Sequence, residues 1–272
     1  MAYSRQRLDW SAKLIPAGVL VLLWEVIAHS KHQPNLYPTI EHIFRVSLPG
    51  FGIFSQSSEP GFWAALGVLS YHGLITVLRI SVGLGAGIPA GIAGGLLVHY
   101  LRGSGPVSSI TLTVVRSIPL LALIPLFKYW FGLSEWGTVG YIAIGTFFVI
   151  SSDSYEAAAN IAPVYAQQAR LLGAGDYFTL RTVYLPGIQM QLAGGLRNVI
   201  GLSWAFSLGA EYVSAEKGLG YLTYQCYSYA EMGQLIILTV IYSVLGYSSY
   251  IFSRYLISKL TPWNKRAEEE LR

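Results

Sequence analysis

Charge is scarce in this 272-residue chain, since Asp, Glu, Lys and Arg make up 12% of it while 53% is hydrophobic. Soluble domains usually carry about 25% charged residues. The deficit argues against an ordinary soluble protein and predicts an all-α integral membrane protein, because the apolar runs are too long for barrel strands. The net charge of +4 fits cationic cytoplasmic loops better than nucleic-acid binding, so we expect no nucleic-acid partner.

Reactive motifs are also missing. Cys226 is the single cysteine, which excludes an intrachain disulfide and a cysteine metal cluster. The sequence has no G-x-x-x-x-G-K-[ST] phosphate loop and no H-E-x-x-H, and its five histidines lack zinc spacing. We therefore expect no catalytic residue, metal or cofactor in this chain, and no binding of ATP in the manner of a phosphate loop.

Long apolar stretches are what the chain does have. A span needs about 20 mostly apolar residues, and about six candidates follow one another at residues 14–30, 72–101, 107–131, 136–150, 188–210 and 232–258. This pattern predicts a cytoplasmic N-terminus (1–13), a first span and external loop with an interfacial helix (14–66), a core transmembrane domain (67–258) and a cytoplasmic tail (259–272).

The distribution of positive charge orients these spans. With the N-terminus inside, the outer segments hold four Lys or Arg residues, namely Lys31, Arg45, Lys128 and Lys217. The inner segments hold eleven: Arg5, Arg7, Lys13, Arg102, Arg170, Arg181, Arg254, Lys259, Lys265, Arg266 and Arg272. Because cytoplasmic loops carry the excess of Lys and Arg, both termini and the loop 161–187 are predicted to face the cytoplasm.

That cytoplasmic loop has a pattern of its own. Residues 167–172 read as a helix and 173–175 as a glycine turn, after which Asp176 can cap a second helix by accepting hydrogen bonds from its first-turn amides. Leu185 and Pro186 are expected to end that helix. A short helix–turn–helix with apolar side chains is suited to a groove on a partner protein.

The spacing of Ala169, Gly173, Val183, Leu185 and Pro186 resembles the EAA motif of ABC importer permeases, E-A-A-x3-G-x9-I-x-L-P. Gln167 and Gln168 stand where the motif has Glu and Ala. Three further segments resemble the nitrate/sulfonate/taurine branch of that family: residues 114–135, 195–222 and 260–263.

The resemblance implies a type I ABC importer permease fold, with cytoplasmic coupling helices between spans 4 and 5, in the bacterial inner membrane. It implies a dimer of ATPase subunits that bind ATP and Mg²⁺, a second permease copy in a homodimer, a periplasmic or lipid-anchored substrate-binding protein, and contact with membrane lipid. The residues implied in coupling to the ATPase are Gln167, Ala169, Leu172, Gly173, Asp176, Leu185 and Pro186.

Polar and proline residues at membrane depth suggest a transport path. Charges there usually face a cavity or a partner, and a proline-broken helix exposes carbonyls that suit a cavity lining. The candidates are Arg116, Ser117, Pro119, Trp204, Ser207 and Glu211. For Glu211 the alternatives are gating or docking at the outer mouth and structural bonding. For Arg116, as for Arg79, the alternatives to lining the path are a pair with a nearby carboxylate and a side chain that extends to the membrane surface.

Glycine recurs every four residues in the second span, at Gly83, Gly87, Gly91 and Gly95. Small residues at this spacing let two helices approach closely. Tight packing within one bundle and a moving helix contact are the two interpretations.

The transported solute stays open among nitrate, a sulfonate, taurine, bicarbonate, a pyrimidine precursor and an aromatic acid. A secondary transporter is an alternative, but it should show paired broken helices in two repeats, which the sequence lacks. An intramembrane enzyme needs a nucleophile–base pair or a metal cluster at one depth, and none stands out. An exporter or lipid-handling permease is disfavoured by the EAA-like loop.

Overall fold

The computed structural model describes residues 10–31, 33–55, 60–102, 114, 117–132 and 134–260, and these form helices and connecting turns without a β-strand. The longer helices are α1 (Trp10–Lys31), α4 (Phe62–Arg102), α5 (Leu120–Phe131), α6 (Glu135–Ala159), α7 (Pro163–Leu171), α9 (Leu185–Ser214), α10 (Leu219–Ser228) and α11 (Met232–Leu260). The short ones are α2 (Ile40–His42), α3 (Leu48–Gly50) and α8 (Asp176–Thr179). Single π-helical turns cover Ile43–Ser47 and Leu180–Tyr184, and a 3₁₀ turn covers Phe51–Phe54.

Two of these helices are long and apolar enough to cross a membrane by composition, at Phe62–Leu101 and Met232–Lys259. Helices α1, α6 and α9 coincide with three further predicted spans, and α5 with the second half of another. The count of six membrane crossings stays a prediction.

The helix α4 starts earlier than the sequence predicted. Residues 62–65 were expected in the external loop, yet the helix begins at Phe62, directly after Pro60 and Gly61. The reason is that no proline stands between Phe62 and the apolar span, and a single glycine, Gly67, does not end a helix. Pro89 lies inside α4 without ending it.

The contacts divide the chain into two units, and the first comprises Met1–Tyr71 and Thr223–Val240. In it the indole N–H of Trp24 donates to the carbonyl of Pro38 over 3.0 Å. The amide of Gln234 donates to the carbonyl of Ser47 over 3.4 Å, and its oxygen accepts from the thiol of Cys226 at 3.2 Å.

The second unit comprises His72–Leu222 and Ile241–Arg272. Two apolar clusters lie in the described part of its core, one around Tyr141 and Ile142 and the other around Ile150 and Ile188. Both clusters contain residues of α6 and α9. These two packed helices therefore fix the two ends of the segment 161–187, which connects them.

The glycine stripe of α4 packs on α6. A Cβ atom at Gly87 would lie 2.6 Å from the carbonyl oxygen of Ala143, and one at Gly91 would lie 2.8 Å from Cβ of Ile150. Such distances are too short for any side chain larger than hydrogen. The stripe therefore packs tightly within one bundle.

Candidate functional site

The EAA-like segment folds as two helices joined by a tight turn. Helix α7 ends at Leu171, and Gly173 follows with φ of 84°. The amide of Gly173 donates to the carbonyl of Arg170 over 3.0 Å, and that of Ala174 donates to the carbonyl of Ala169, also over 3.0 Å. These two bonds form a Schellman motif, which satisfies the last carbonyls of a helix through a residue of left-handed conformation.

This geometry gives the A-x3-G spacing a physical reason. Ala169 supplies the carbonyl that closes the turn, and Gly173 supplies the positive φ, which costs a residue with a side chain about 1 kcal/mol or more. The sequence predicted the turn but not this division of roles, although a glycine two residues past a helix end is the ordinary sequence signal for it.

Asp176 was predicted to cap the second helix, and that prediction was wrong. The N-cap of α8 is Gly175, and Asp176 is the first residue of the helix. One oxygen of its carboxylate accepts a hydrogen bond from the hydroxyl of Tyr100 over 2.7 Å, and the other accepts from the guanidinium of Arg170 over 3.3 Å. The side chain therefore turns away from its own helix and links α4, α7 and α8.

Leu185 and Pro186 do not end a helix, contrary to prediction. The amide of Leu185 donates to the carbonyl of Leu180, and α9 begins at Leu185 and runs to Ser214. Proline is tolerated in the first turn of a helix because the amides there have no partner within the helix. Pro186 thus lies at the start of the fifth predicted span.

The segment 161–187, which we call the coupling segment after its predicted role, exposes apolar groups. Leu171 and Leu172 are 86% and 89% exposed, and Tyr177 is 73% exposed. Gln167 is exposed too, whereas Ala169 is half-buried. Exposed apolar side chains grouped in one segment mark a surface that another molecule covers.

The candidate path residues fall into two groups. Ser117 and Pro119 are exposed and precede α5, with Pro119 as its N-cap, while Arg116 lies outside the described residues. Trp204, Ser207 and Glu211 lie on successive turns of α9 and are buried.

Glu211 is completely buried, and four groups bond its carboxylate. The hydroxyl of Thr76 donates to it at 2.9 Å, Nη1 of Arg79 at 2.9 Å, the hydroxyl of Ser207 at 3.3 Å and the amide of Gly220 at 2.9 Å.

Arg79 also donates from Nε to Glu135 over 2.6 Å and from Nη1 to the carbonyl of Lys217 over 2.7 Å. Of the interpretations given for Arg79, the structure shows the pairing with carboxylates, namely those of Glu211 and Glu135.

Trp204 borders a groove of about 690 Å³ between α4, α9 and α11. Its ring meets that of Tyr242 edge to face, with centroids 6.0 Å apart. The lining is apolar apart from four serines, which are Ser81, Ser248, Ser249 and Ser253. Each of them bonds a backbone carbonyl three or four residues earlier in its own helix. Among the residues that the structure describes, the lining of the groove thus presents no charge that could fix an anion.

No group of three or more His, Cys, Asp or Glu residues within the described ranges has a geometry that could hold a metal ion.

Residues 83–262 match the family model described as "Binding-protein-dependent transport system inner membrane component". The taurine transport system permease protein TauC of Escherichia coli is 26% identical over 252 residues, which are 91% of this chain and 87% of that protein. The formylaminopyrimidine transport permease protein ThiX of Halalkalibacterium halodurans is 26% identical over 248 residues, 91% of this chain and 94% of that protein.

A solved structure shares the fold. The structure titled "Inward facing conformations of the MetNI methionine ABC transporter" aligns with a TM-score of 0.62 at 18% identity, over 72% of this chain and 97% of that one.

Proposed function

The chain belongs to the family of binding-protein-dependent transport system inner membrane components, and from that membership we propose that its segment 161–187 receives the force of ATP hydrolysis. As a member it is the permease subunit of an ABC importer for small solutes, an integral membrane protein that is not itself an enzyme. A separate ATPase hydrolyses ATP, and a substrate-binding protein delivers the solute. ATP and Mg²⁺ would bind to that ATPase.

The exposed apolar surface of the coupling segment carries this proposal. Leu171, Leu172 and Tyr177 lie outside the packed bundle although each would gain by burial, by about 25 cal/mol for every Å² of apolar area removed from water. A cleft on the ATPase is the occupant that fits, because the segment faces the cytoplasm in the predicted topology. Gln167 would supply a hydrogen bond there in place of the charge of the motif glutamate.

The transport cycle would follow from this docking. ATP closes two ATPase subunits, which move the two coupling segments of a permease homodimer together and turn the path outward. Hydrolysis then returns it inward. This is alternating access, in which nucleotide binds one of two states more tightly. Both termini would lie in the cytoplasm, and lipid would cover the outer helices.

For the solute, we propose a small anion or organic molecule of the kind named for the relatives, such as a sulfonate or a pyrimidine precursor. The path would include Arg116, Ser117, Pro119, Trp204, Ser207 and Glu211. Because the groove beside Trp204 has no charged lining residue, recognition of a negative charge would fall to the binding protein and to residues such as Arg116.

The test is to replace Leu171 and Leu172 with Asp and to measure co-purification with the ATPase subunit and ATP hydrolysis. We expect both to fall at least tenfold, because two charges would then need burial in an apolar cleft. Ile53→Asp is the matched control, since Ile53 is 57% exposed in the predicted external loop. Normal assembly of the double variant would contradict the docking role.

The secondary-transporter alternative is tested separately. The purified chain alone, in liposomes with an ion gradient and no ATP, should take up no taurine. Uptake under those conditions would overturn the assignment of an ATP-driven mechanism.

A further inference from the structure

We propose that Arg79 is a positioning residue for transport, and that its ion pair with Glu135 breaks when the path turns outward. The bonds of Arg79 to Glu135 and to Glu211 hold α4, α6 and α9 together at one end. We call this set of bonds the latch, and the pair of Arg79 with Glu135 its separable arm. The proposal rests on the proposed function and adds a residue-level account of what must separate when the path turns outward.

The buried half of the latch is fixed. Three consecutive amides at the start of α10 each meet a buried side chain: Gly218 bonds Nδ1 of His72 over 3.0 Å, Leu219 bonds the hydroxyl of Thr76 over 2.9 Å, and Gly220 bonds Glu211 over 2.9 Å. The first amides of a helix have no partner within the helix and attract negative charge. The buried carboxylate of Glu211 therefore caps the N-terminus of α10 by accepting the hydrogen bond of the Gly220 amide.

Glycine makes this approach possible. Gly218 has φ of 109°, and a Cβ atom there would overlap the carboxylate of Glu211. A Cβ atom at Gly220 would lie 2.6 Å from Cβ of Glu211. Removing Arg79 from Glu211 would leave a buried charge unpaired, which is strongly unfavourable in a protein interior. This half should therefore remain intact through the transport cycle.

The other half of the latch, the pair of Arg79 with Glu135, has one solvent-exposed partner. The side chain of Glu135 is 58% exposed, while that of Arg79 is 5% exposed. When the pair separates, Glu135 regains water and Arg79 keeps its bonds to Glu211 and to the carbonyl of Lys217. Because water can solvate Glu135 but cannot reach Glu211, the contact between Arg79 and Glu135 should break more easily than the contact between Arg79 and Glu211.

The pair of Arg79 with Glu135 lies at one end of α6, and the coupling segment follows the other end of that helix. Glu135 is the first residue of α6, and α6 ends at Ala159, four residues before α7 begins at Pro163. A helix of 25 residues is about 37 Å long, so it carries displacement between its ends.

The experiment replaces Glu135 with Cys in the permease assembled with its ATPase in liposomes, and measures ATP hydrolysis without the binding protein. We expect hydrolysis to rise about two- to fivefold, because the lost contact has one partner that water can solvate. An anionic methanethiosulfonate reagent should restore the low rate, because it returns a negative charge beside Arg79, whereas a cationic reagent should not. Cys226 is buried, so the unmodified protein controls for reaction elsewhere.

Glu216→Cys is the matched control, since Glu216 is an exposed acid on the segment before α10. Neither reagent should change its hydrolysis rate. Glu135→Gln, which keeps the size of the side chain, should raise hydrolysis as Glu135→Cys does, and it serves if the cysteine variant does not assemble.

The outcomes separate this proposal from the one on which it rests. Failure of the unmodified chain to bind the ATPase would overturn the docking proposal. Normal assembly with an unchanged rate in Glu135→Gln, or equal effects of both reagents, would overturn the latch.

Discussion

The hydroxyl of Tyr100 donates to the carboxylate of Asp176 over 2.7 Å, and this bond ties the last turns of α4 to the first residue of α8. Arg170 bonds the other carboxylate oxygen, so one side chain joins a membrane helix to both helices of the coupling segment. Movement of that segment should therefore displace the end of α4 as well as α6 and α9, which adjoin it in the chain.

Tyr100→Phe removes this hydroxyl and keeps the ring. Because Tyr100 and Asp176 are both exposed, we expect little loss of stability and normal ATPase assembly. The expected change is in coupling, with fewer solute molecules moved per ATP hydrolysed, by about twofold. Uptake and hydrolysis measured in the same liposomes give the ratio. Tyr165→Phe on α7 is the control, and an equal loss in both variants would speak against a specific role for the Tyr100 bond.

Gly173→Ala tests the turn of the coupling segment. The positive φ of Gly173 should make alanine cost about 1 kcal/mol locally, although its surroundings are open. We expect weaker ATPase binding with the bundle intact, measured by co-purification and thermal unfolding. Gly175→Ala should bind normally, because Gly175 has φ of −72° and is equally open. Indistinguishable binding by the two variants would show that the turn is not needed for docking.

Gly87→Ala tests the contact between α4 and α6. The new methyl group would lie 2.6 Å from both the carbonyl of Ala143 and Cβ of Thr146, so the helices must separate, at a cost of about 1–3 kcal/mol. Thermal unfolding in detergent should show the loss. Gly85→Ala, two residues away with open space, should unfold like the original or slightly later. A stable Gly87→Ala variant would mean that this contact is looser than described.

Cys226 should resist alkylation. Burial raises the pKa of its thiol to about 12, so only about one molecule in ten thousand carries the reactive thiolate at pH 8. We expect maleimide to label the folded protein far more slowly than the protein unfolded in detergent, and the rate to rise as pH approaches the raised pKa. Ser228→Cys, an exposed position on the same helix, should label at once. Fast labelling of Cys226 in the folded chain would contradict its burial.

Local features of the fold could be predicted from the sequence. The turn at Gly173 and the packing face of Gly83, Gly87, Gly91 and Gly95 followed from backbone freedom and helical spacing alone, which are properties of neighbouring residues. Errors arose where a residue has two allowed roles. Asp176 can cap a helix or bond elsewhere, and Pro186 can follow a helix or begin one.

The polar network could not be predicted, because its partners are distant in the chain. Arg79 and Glu211 are separated by 132 residues, and Arg79 and Glu135 by 56. Each charge was recognisable as costly at membrane depth. Which charge meets which depends on how α4, α6 and α9 pack, and no pattern local to any of them contains that information.

The backbone hydrogen bonds of the turn after α7 lie between Gln168 and Ala174, so the turn can hold its form before a partner binds. A protein that must order a loop when it associates loses affinity to the entropy of that ordering, whereas a preformed elbow loses little. The ATPase would thus bind a preformed turn, so association would be fast while the complex still dissociates.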